Sequence, residues 1–297
     1  MRVFVTGATG FIGSALIPEL IGAGHHVIGL ARSDEGAKAL ADAGAQPHRG
    51  SLEDLESLRS GATLSDGVIH AAFNHDFSKF AANCEMDRCA IQALGSVLAG
   101  SDRLLIVTSG TGLVAPGRVA TEDDLPLSGP DSFPRVSEQT ADSLAELGVR
   151  ASVVRLPQVH DRVKHGLVSY AIAVAREKGV SAYIDDGLNR WPAVHVLDAV
   201  RVYRLALETG VPGARYHAVA EEGVPLREIA EAIGRGLKVP VVSKSREEAA
   251  DHFGFLGMFA SLDCPASSAL TQERLGWQPT ALPGMIADLD NATIFED

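Results

Sequence analysis

Apolar positions along the first half of the chain fall into short continuous runs separated by stretches of helical spacing. Val3-Phe4-Val5, Val27-Ile28-Gly29-Leu30, Gly67-Val68-Ile69-His70-Ala71 and Leu104-Leu105-Ile106-Val107 read as buried strands. A weaker strand lies at Gln46-Pro47-His48, where the proline sits badly inside a sheet. Between them, residues 11–21 carry apolar side chains at helical intervals and stop at Gly22 and Gly24. Ser33 caps a helix reaching residue 40, Ser51-Leu52-Glu53-Asp54 opens a short helix, and 77–99 reads as a long one. Strands that are apolar throughout are covered on both faces, and strands alternating with helices make parallel βαβ units with right-handed crossovers. The expected fold class is α/β, with a doubly wound parallel sheet.

After residue 109 the pattern loosens. Residues 110–134 are rich in Gly, Pro, Asp and Ser and read as an active-site loop, because regular structure resumes at once with a helix over 137–147 and a strand over 151–156. A strand at Trp191-Pro192-Ala193-Val194-His195-Val196 and helices over 197–208 and 226–237 follow. No internal repeat or low-complexity tract interrupts the chain.

Composition narrows the function classes. The chain has 297 residues, 46% of them hydrophobic, enough for a sizeable core. Its net charge of −12, with no basic run, argues against a nucleic-acid partner. Cys84, Cys89 and Cys264 are odd in number and lack zinc-ligand spacing, so they read as buried thiols and no metal site is expected. No apolar stretch approaches the ~20 residues of a spanning helix, and no leader pattern precedes the first strand. The expectation is a cytoplasmic protein without a membrane partner.

The chemistry begins in the first βα turn. Thr6-Gly7-Ala8-Thr9-Gly10-Phe11-Ile12-Gly13 follows a strand and opens a helix directly. One glycine allows the tight turn, another the approach of a pyrophosphate, and the third close packing of helix on strand; the helix N-terminus faces the phosphates. The second strand ends Ala31-Arg32-Ser33. An acid in place of Ala31 would bind ribose hydroxyls and repel a 2′-phosphate, whereas Arg32 offers a forked cation that suits one. The cofactor expected is NADP(H).

These segments resemble the short-chain dehydrogenase/reductase superfamily, in its extended and atypical branches that include the NAD-dependent epimerase/dehydratase family. Residues 6–13 match the TGxxGxxG turn. Gly50-Ser51-Leu52-Glu53-Asp54 resembles the segment beside the adenine, and Val68-Ile69-His70-Ala71-Ala72 the strand that passes the riboses. Arg155-Leu156-Pro157-Gln158-Val159 resembles the segment whose backbone meets the nicotinamide amide, and residues 191–199 resemble the VHVxD stretch of extended members. The resemblance implies a Rossmann domain over 1–157, also receiving about 191–212, and a smaller C-terminal α/β substrate lobe from 158–190 and 213–297. It assigns cofactor contacts to Thr6, Gly7, Thr9, Gly10, Phe11, Ile12, Gly13, Arg32, Ser33, Ser51, Leu52, Ala71, Ala72, Phe73, Thr108, Leu156, Pro157 and Val159. By the same analogy the protein is a monomer, or a homodimer through the helices at 77–99 and 137–147.

The catalytic pattern departs from the family. Members carry a Ser or Thr after strand five and a Tyr-x-x-x-Lys pair on the next helix; the tyrosine moves a proton, the lysine lowers its pKa, and the serine binds the reacting oxygen. Here Pro134 stands at the tyrosine position and Glu138 at the lysine position, and none of Tyr170, Tyr183, Tyr203 and Tyr216 has a lysine four residues on. Gly110 falls at the serine position, flanked by the hydroxyls of Ser109 and Thr111. Arg135 is a candidate to hold the ribose or phosphate or to stabilise an oxyanion, unless it pairs with Glu138 along the helix. His160 is a candidate general acid, oriented by Asp161 or another carboxylate. His195 reads as structural, and Tyr183 and Trp191 as a possible apolar wall. The leading expectation is an NADPH-dependent reductase of a small, largely apolar carbonyl or imine-type substrate. The alternatives are an NADP(H)-binding redox sensor without turnover and a nucleotide-sugar epimerase or dehydratase, the last of which needs the missing tyrosine.

Overall fold

The computed structural model describes residues 1–129, 133–280 and 282–296. Strands β1 (Arg2–Thr6), β2 (His26–Ala31), β3 (Gln46–Arg49), β4 (Gly67–His70), β5 (Leu104–Gly110) and β6 (Arg150–Leu156) lie in one sheet. Later strands are β7 (Gln158–His160), β8 (Ser181–Ile184), β9 (Arg190–His195), β10 (Arg215–His217), β11 (Glu221–Pro225) and β12 (Val241–Lys244). Of these, β10 joins the first sheet, whose order is β10-β6-β5-β4-β1-β2-β3 with every neighbour parallel. The order reverses between β1 and β4, and the crevice beyond the C-terminal ends of those strands is where a doubly wound sheet binds ligand.

The alternation of side chains along β1 shows how the sheet is covered. Val3 and Val5 face one layer, with α1 (Phe11–Gly22), which packs through Leu16, Ile17 and Leu20. Phe4 faces the other, together with Val68 and Leu105. After α2 (Asp34–Asp42) come α3 (Leu55–Thr63), α4 (Phe80–Leu98) and α5 (Ser137–Glu146), which close this second layer through Leu58, Ile91, Leu94 and Leu144. Following α6 (Val168–Lys178), α7 (Val196–Thr209) returns to the first layer with Val200, Tyr203 and Leu207. This is the Rossmann-like arrangement expected from the apolar runs.

A second core gathers α6, α8 (Leu226–Leu237), α9 (Arg246–Phe253), α10 (Gly257–Ala260) and α12 (Met285–Asp290) around Trp191, Ile229, Leu256 and Met285; α11 (Ala269–Leu275) packs on α7 and β10. Two small sheets belong to this part, β11-β9-β7 and β12-β8. The strand inside 191–212 therefore pairs in a small sheet while its helix packs on the large one, and residues 215–217, expected in the lobe, are the large sheet's edge strand.

Three local expectations change. Strand five runs past the expected Val107 to Gly110, so Gly110 lies in the sheet and not in the loop. Ser51 to Glu53 form a turn, and helix α3 starts at Leu55 because Asp54 accepts from Ser57 N at 3.2 Å. In the loop, 111–113 form a short 3-10 turn and Ala120 bridges Ala266; Pro130, Asp131 and Ser132 lie outside the described residues. Cys84 and Cys264 are buried, and burial pushes their thiols up to about 11 and about 12. No helix among the described residues is long and apolar enough to cross a membrane.

Candidate functional site

Gly7 holds a left-handed φ of +68°, and a Cβ there would lie 2.8 Å from Ala71 O and Ala72 N, so the turn presses against the end of β4. Gly10 caps α1 with no side chain, donates to Gly7 O at 2.9 Å, and leaves a first helical turn that carries no acid. Thr9 and Gly10 are exposed, and Phe11 and Ile12 half-buried. An exposed helix N-terminus with neither cap nor acid is an anion site, and it fits the pyrophosphate of a dinucleotide. Thr6 instead turns inward and is fully buried, with its Oγ1 2.8 Å from His70 Nδ1.

At the end of β2, Ala31 is buried while Arg32 and Ser33 are exposed. Ser33 accepts from Gly36 N at 3.1 Å and so serves as the N-cap of α2. Ala31 sits beside Arg49 in the sheet register, and Arg49 pairs with Asp34 at 3.2 Å. Ser51 accepts from Asp54 N at 3.3 Å, and Leu52 packs half-buried on the core under α3. Leu156 and Pro157 are half-buried, while the Val159 side chain lies in the main core.

Beyond the ends of β4 and β5 a polar network comes together that the sequence did not reveal. Thr108 Oγ1 lies 2.7 Å from Tyr203 OH and donates to His70 O at 2.7 Å. His70 Nε2 meets Asp87 Oδ1 at 3.1 Å, and Ser137 Oγ donates to Asp87 Oδ2 at 2.5 Å. Arg135 completes the circuit. Its Nε donates to Ser137 Oγ at 3.0 Å and its Nη2 to Thr108 O at 3.0 Å, while its guanidinium covers the Phe73 ring at 4.3 Å. Burial works against the Asp87 charge, but the hydrogen bond and charge of His70, with Arg135 and Ser137, hold its carboxyl below the usual carboxylate range. His70, Asp87, Ser137 and Tyr203 belong to four elements, and no sequence spacing links them.

Glu138 does not pair with Arg135. Arg155 grips it with two bonds, Nε to Oε1 at 2.9 Å and Nη2 to Oε2 at 2.7 Å, and Arg215 Nε adds a third at 3.0 Å. Strand alternation is the reason for the separation. Thr108 points toward α7 and Ser109 toward α5, where it lines the same small cavity as Glu138. Thr111 Oγ1 lies 3.5 Å from Leu156 O, and both hydroxyl-bearing candidates are buried. His160 lies elsewhere, on β7, with its ring 1% exposed. Its Nδ1 meets Asp288 Oδ2 at 2.8 Å, whereas Asp161 caps its own turn by accepting from Val163 N and Lys164 N, both at 2.7 Å. Burial pushes the His160 pKa down, against the pull of Asp288. The structure thus brings Arg135 and Phe73 together with Thr108, and it does not bring His160 to them.

The apolar wall is also not where it was expected. Trp191 is buried in the second core, Tyr183 lies beneath Arg227 at 5.6 Å, and His195 caps α7 by accepting from Leu197 N at 3.2 Å. Instead, rings from four separate segments meet. Phe77 stacks on Phe255 at 4.6 Å and 12° and abuts Tyr170 edge-on at 5.6 Å, and Phe133 stacks on Phe259 at 5.7 Å and 9°. Phe133 and Arg135 line one small cavity with Ser109, Leu127 and Glu138.

A model of the NAD dependent epimerase/dehydratase family matches residues 3–219. An uncharacterized protein of Schizosaccharomyces pombe is 51% identical over 283 residues, which are 94% of this chain and 95% of the relative. A 4-hydroxy-2-methyl-3-oxo-4-farnesyl-3,4-dihydroquinoline-1-oxide ketoreductase of Stigmatella aurantiaca is 28% identical over 86% of this chain and 80% of its own. The solved UDP-glucose 4-epimerase of Thermotoga maritima shares the fold at a TM-score of 0.74 and 21% identity, over 100% of this chain and 98% of that one.

Proposed function

The chain belongs to the NAD dependent epimerase/dehydratase family, and from that premise we propose that it is an NADPH-dependent oxidoreductase of a small, largely apolar carbonyl or imine-type substrate. The observation that carries this reading is the Arg135 guanidinium, fixed by Ser137 and Thr108 beyond the C-terminal end of β5 and beside a water-sized cavity of about 10 Å³ that Leu127, Phe133 and Glu138 also line. The ketoreductase of Stigmatella aurantiaca, named for a ring ketone, supports it.

Bound NADPH would supply the hydride. The chain's own part is to hold and polarise. Residues 7–13 would seat the pyrophosphate, and Arg32 would hold the adenosine end. Arg135 has Nε and Nη2 tied to Ser137 and Thr108, which fixes its plane and leaves Nη1 for a substrate oxygen. The carbonyl carbon accepts hydride, the C=O π pair moves to oxygen beside Arg135, and that oxygen takes a proton from water. An iminium would need no proton at all. Arg135 is thus an electrostatic stabiliser, and it is not an acid.

Two measurements test the parts. Arg32→Ala is expected to weaken NADPH binding about tenfold or more while NADH binding changes little, since a charge-assisted bond to phosphate is lost. An equal loss for both nucleotides would sink the NADP(H) assignment. Arg135→Leu is expected to lower kcat about a hundredfold on any accepted carbonyl with little change in NADPH affinity; an unchanged kcat removes Arg135 from the mechanism. The parent assay follows NADPH absorbance against a panel of aldehydes, ketones and cyclic imines, and turnover on any of them supports the reductase.

One observation favours a second reading, a nucleotide-holding sensor without turnover. Glu138, at the position of the family's lysine, is engaged by Arg155 and Arg215. Tight NADPH binding with no turnover across the panel would decide for it.

A further inference from the structure

We propose that the substrate is a flat, aromatic-fused ring ketone, held by stacking on a phenylalanine wall; this rests on the reductase reading above. Six of the ten phenylalanines in the chain stand at this one place, where the end of β4 meets the start of α5 and the segment after α9. The two layers of the main sheet are built chiefly from Val, Leu, Ile and Ala, whereas Phe259 and Tyr170 of the wall pack against the second core. The wall is also only partly buried, with Phe255 40% exposed and Phe73, Phe77, Phe133 and Phe259 half-buried.

The ring planes are fixed in pairs. Phe133 and Phe259 lie within 9° of parallel, and Phe77 and Phe255 within 12°. Partly exposed rings held in fixed planes favour a flat guest, because aromatic pairs gain from offset stacking beyond the area they bury. Phe133 belongs to both features, stacking in the wall and lining the cavity that holds Arg135. A fused ring on Phe133 therefore directs its carbonyl toward the guanidinium. Arg135 is the one cation lining that cavity among the described residues, and it is already bonded to Thr108 and Ser137, so the site matches one carbonyl oxygen better than a diphosphate. The balance is that of a ketone reduction: hydride to the carbonyl carbon, a water proton to the oxygen, NADPH to NADP+, and a secondary alcohol beside the aromatic ring.

The test uses two probes with one carbon skeleton, α-tetralone, which is flat and aromatic, and α-decalone, which is puckered and saturated. Their reduction is followed by NADPH consumption, and their binding by calorimetry with NADP+ present. The expected result is a KM for α-tetralone about tenfold or more below that for α-decalone. Phe133→Leu, and independently Phe259→Leu, narrow that ratio about three- to tenfold. Two variants guard against one failing to fold, and thermal melts identify such a failure. Equal KM values for the two ketones, or a ratio unmoved in both folded variants, overturn the stacking proposal while turnover leaves the reductase reading standing. Calorimetric binding of α-tetralone without turnover of either ketone overturns the reductase reading and supports the aromatic site.

Discussion

Gly13→Ala is expected to abolish dinucleotide binding and to destabilise the fold by about 3 kcal/mol or more. A Cβ at this position would lie 2.1 Å from Gly7 O and 2.7 Å from Ala8 Cα. Both are backbone atoms, so no side chain can swing aside. Either the turn opens or α1 lifts from β1, and α1 is held there by Leu16, Ile17 and Leu20 in the core. Each response moves the helix N-terminus away from the pyrophosphate position. Gly10→Ala separates the two effects, because its Cβ comes no closer than 3.2 Å to Gly7 O. It should keep nearly the native melting temperature and still bind NADPH more weakly, since the methyl group stands at the mouth of the anion site. The readouts are NADPH fluorescence titration and thermal melting. Native affinity in Gly13→Ala would show that the cofactor does not sit on this turn.

Arg155→Ala is expected to lose about 3–5 kcal/mol of stability, the usual consequence of leaving a buried charge without its partner. Arg155 is fully buried, and its N–H groups reach Glu138 twice, His217 Nε2 at 3.1 Å, Asp124 O at 2.7 Å and Thr121 O at 3.4 Å. His217 Nδ1 faces Ser267 O at 2.7 Å, and burial pushes its pKa down to about 4, so its Nε2 accepts from the guanidinium. The alanine variant strands Glu138 beside Arg215 alone. A double replacement, Arg155→Met with Glu138→Met, should lose less than the sum of the single changes, because no unpaired charge remains. Urea unfolding of the four proteins gives the coupling, and strict additivity would count against the pair.

The same pair sets an acid limit. Burial opposes the Glu138 charge, yet Arg155, Ser109 and Arg215 outweigh it and hold the carboxyl below its ordinary range. A depressed folded pKa stabilises fully above the ordinary glutamate value of about 4.3, and that contribution disappears as the pH falls through the folded value. Glu138→Gln should therefore show a shallower loss of melting temperature in acid than the parent does.

Much of this was legible from one dimension. Main-sheet strands β1, β2, β4, β5 and β6 were readable because parallel strands buried on both faces are largely apolar, while the polar edge strand β3 gave only a weak signal, and the αL glycine and the uncapped helix start follow from Gly7-x-x-Gly10-x-x-Gly13 alone. The Ala31-Arg32 step is equally local. The missing Tyr and Lys were also visible as Pro134 and Glu138. What replaces them was not.

Whether Glu138 meets Arg135, three residues away, or Arg155, seventeen away, depends on which face of β5 and β6 helix α5 packs against. The role of His160 depended on Asp288, on a helix 128 residues further along the chain. Phe77 and Phe255 carry no periodic signal toward each other, yet they stack at 4.6 Å. Glycine turns, caps and apolar runs are set by neighbours along the backbone, so the sequence alone determined the fold and the anion cradle. Partners of buried charges and the faces of aromatic rings are set by layers packed across the sheet, and only the tertiary structure decided them.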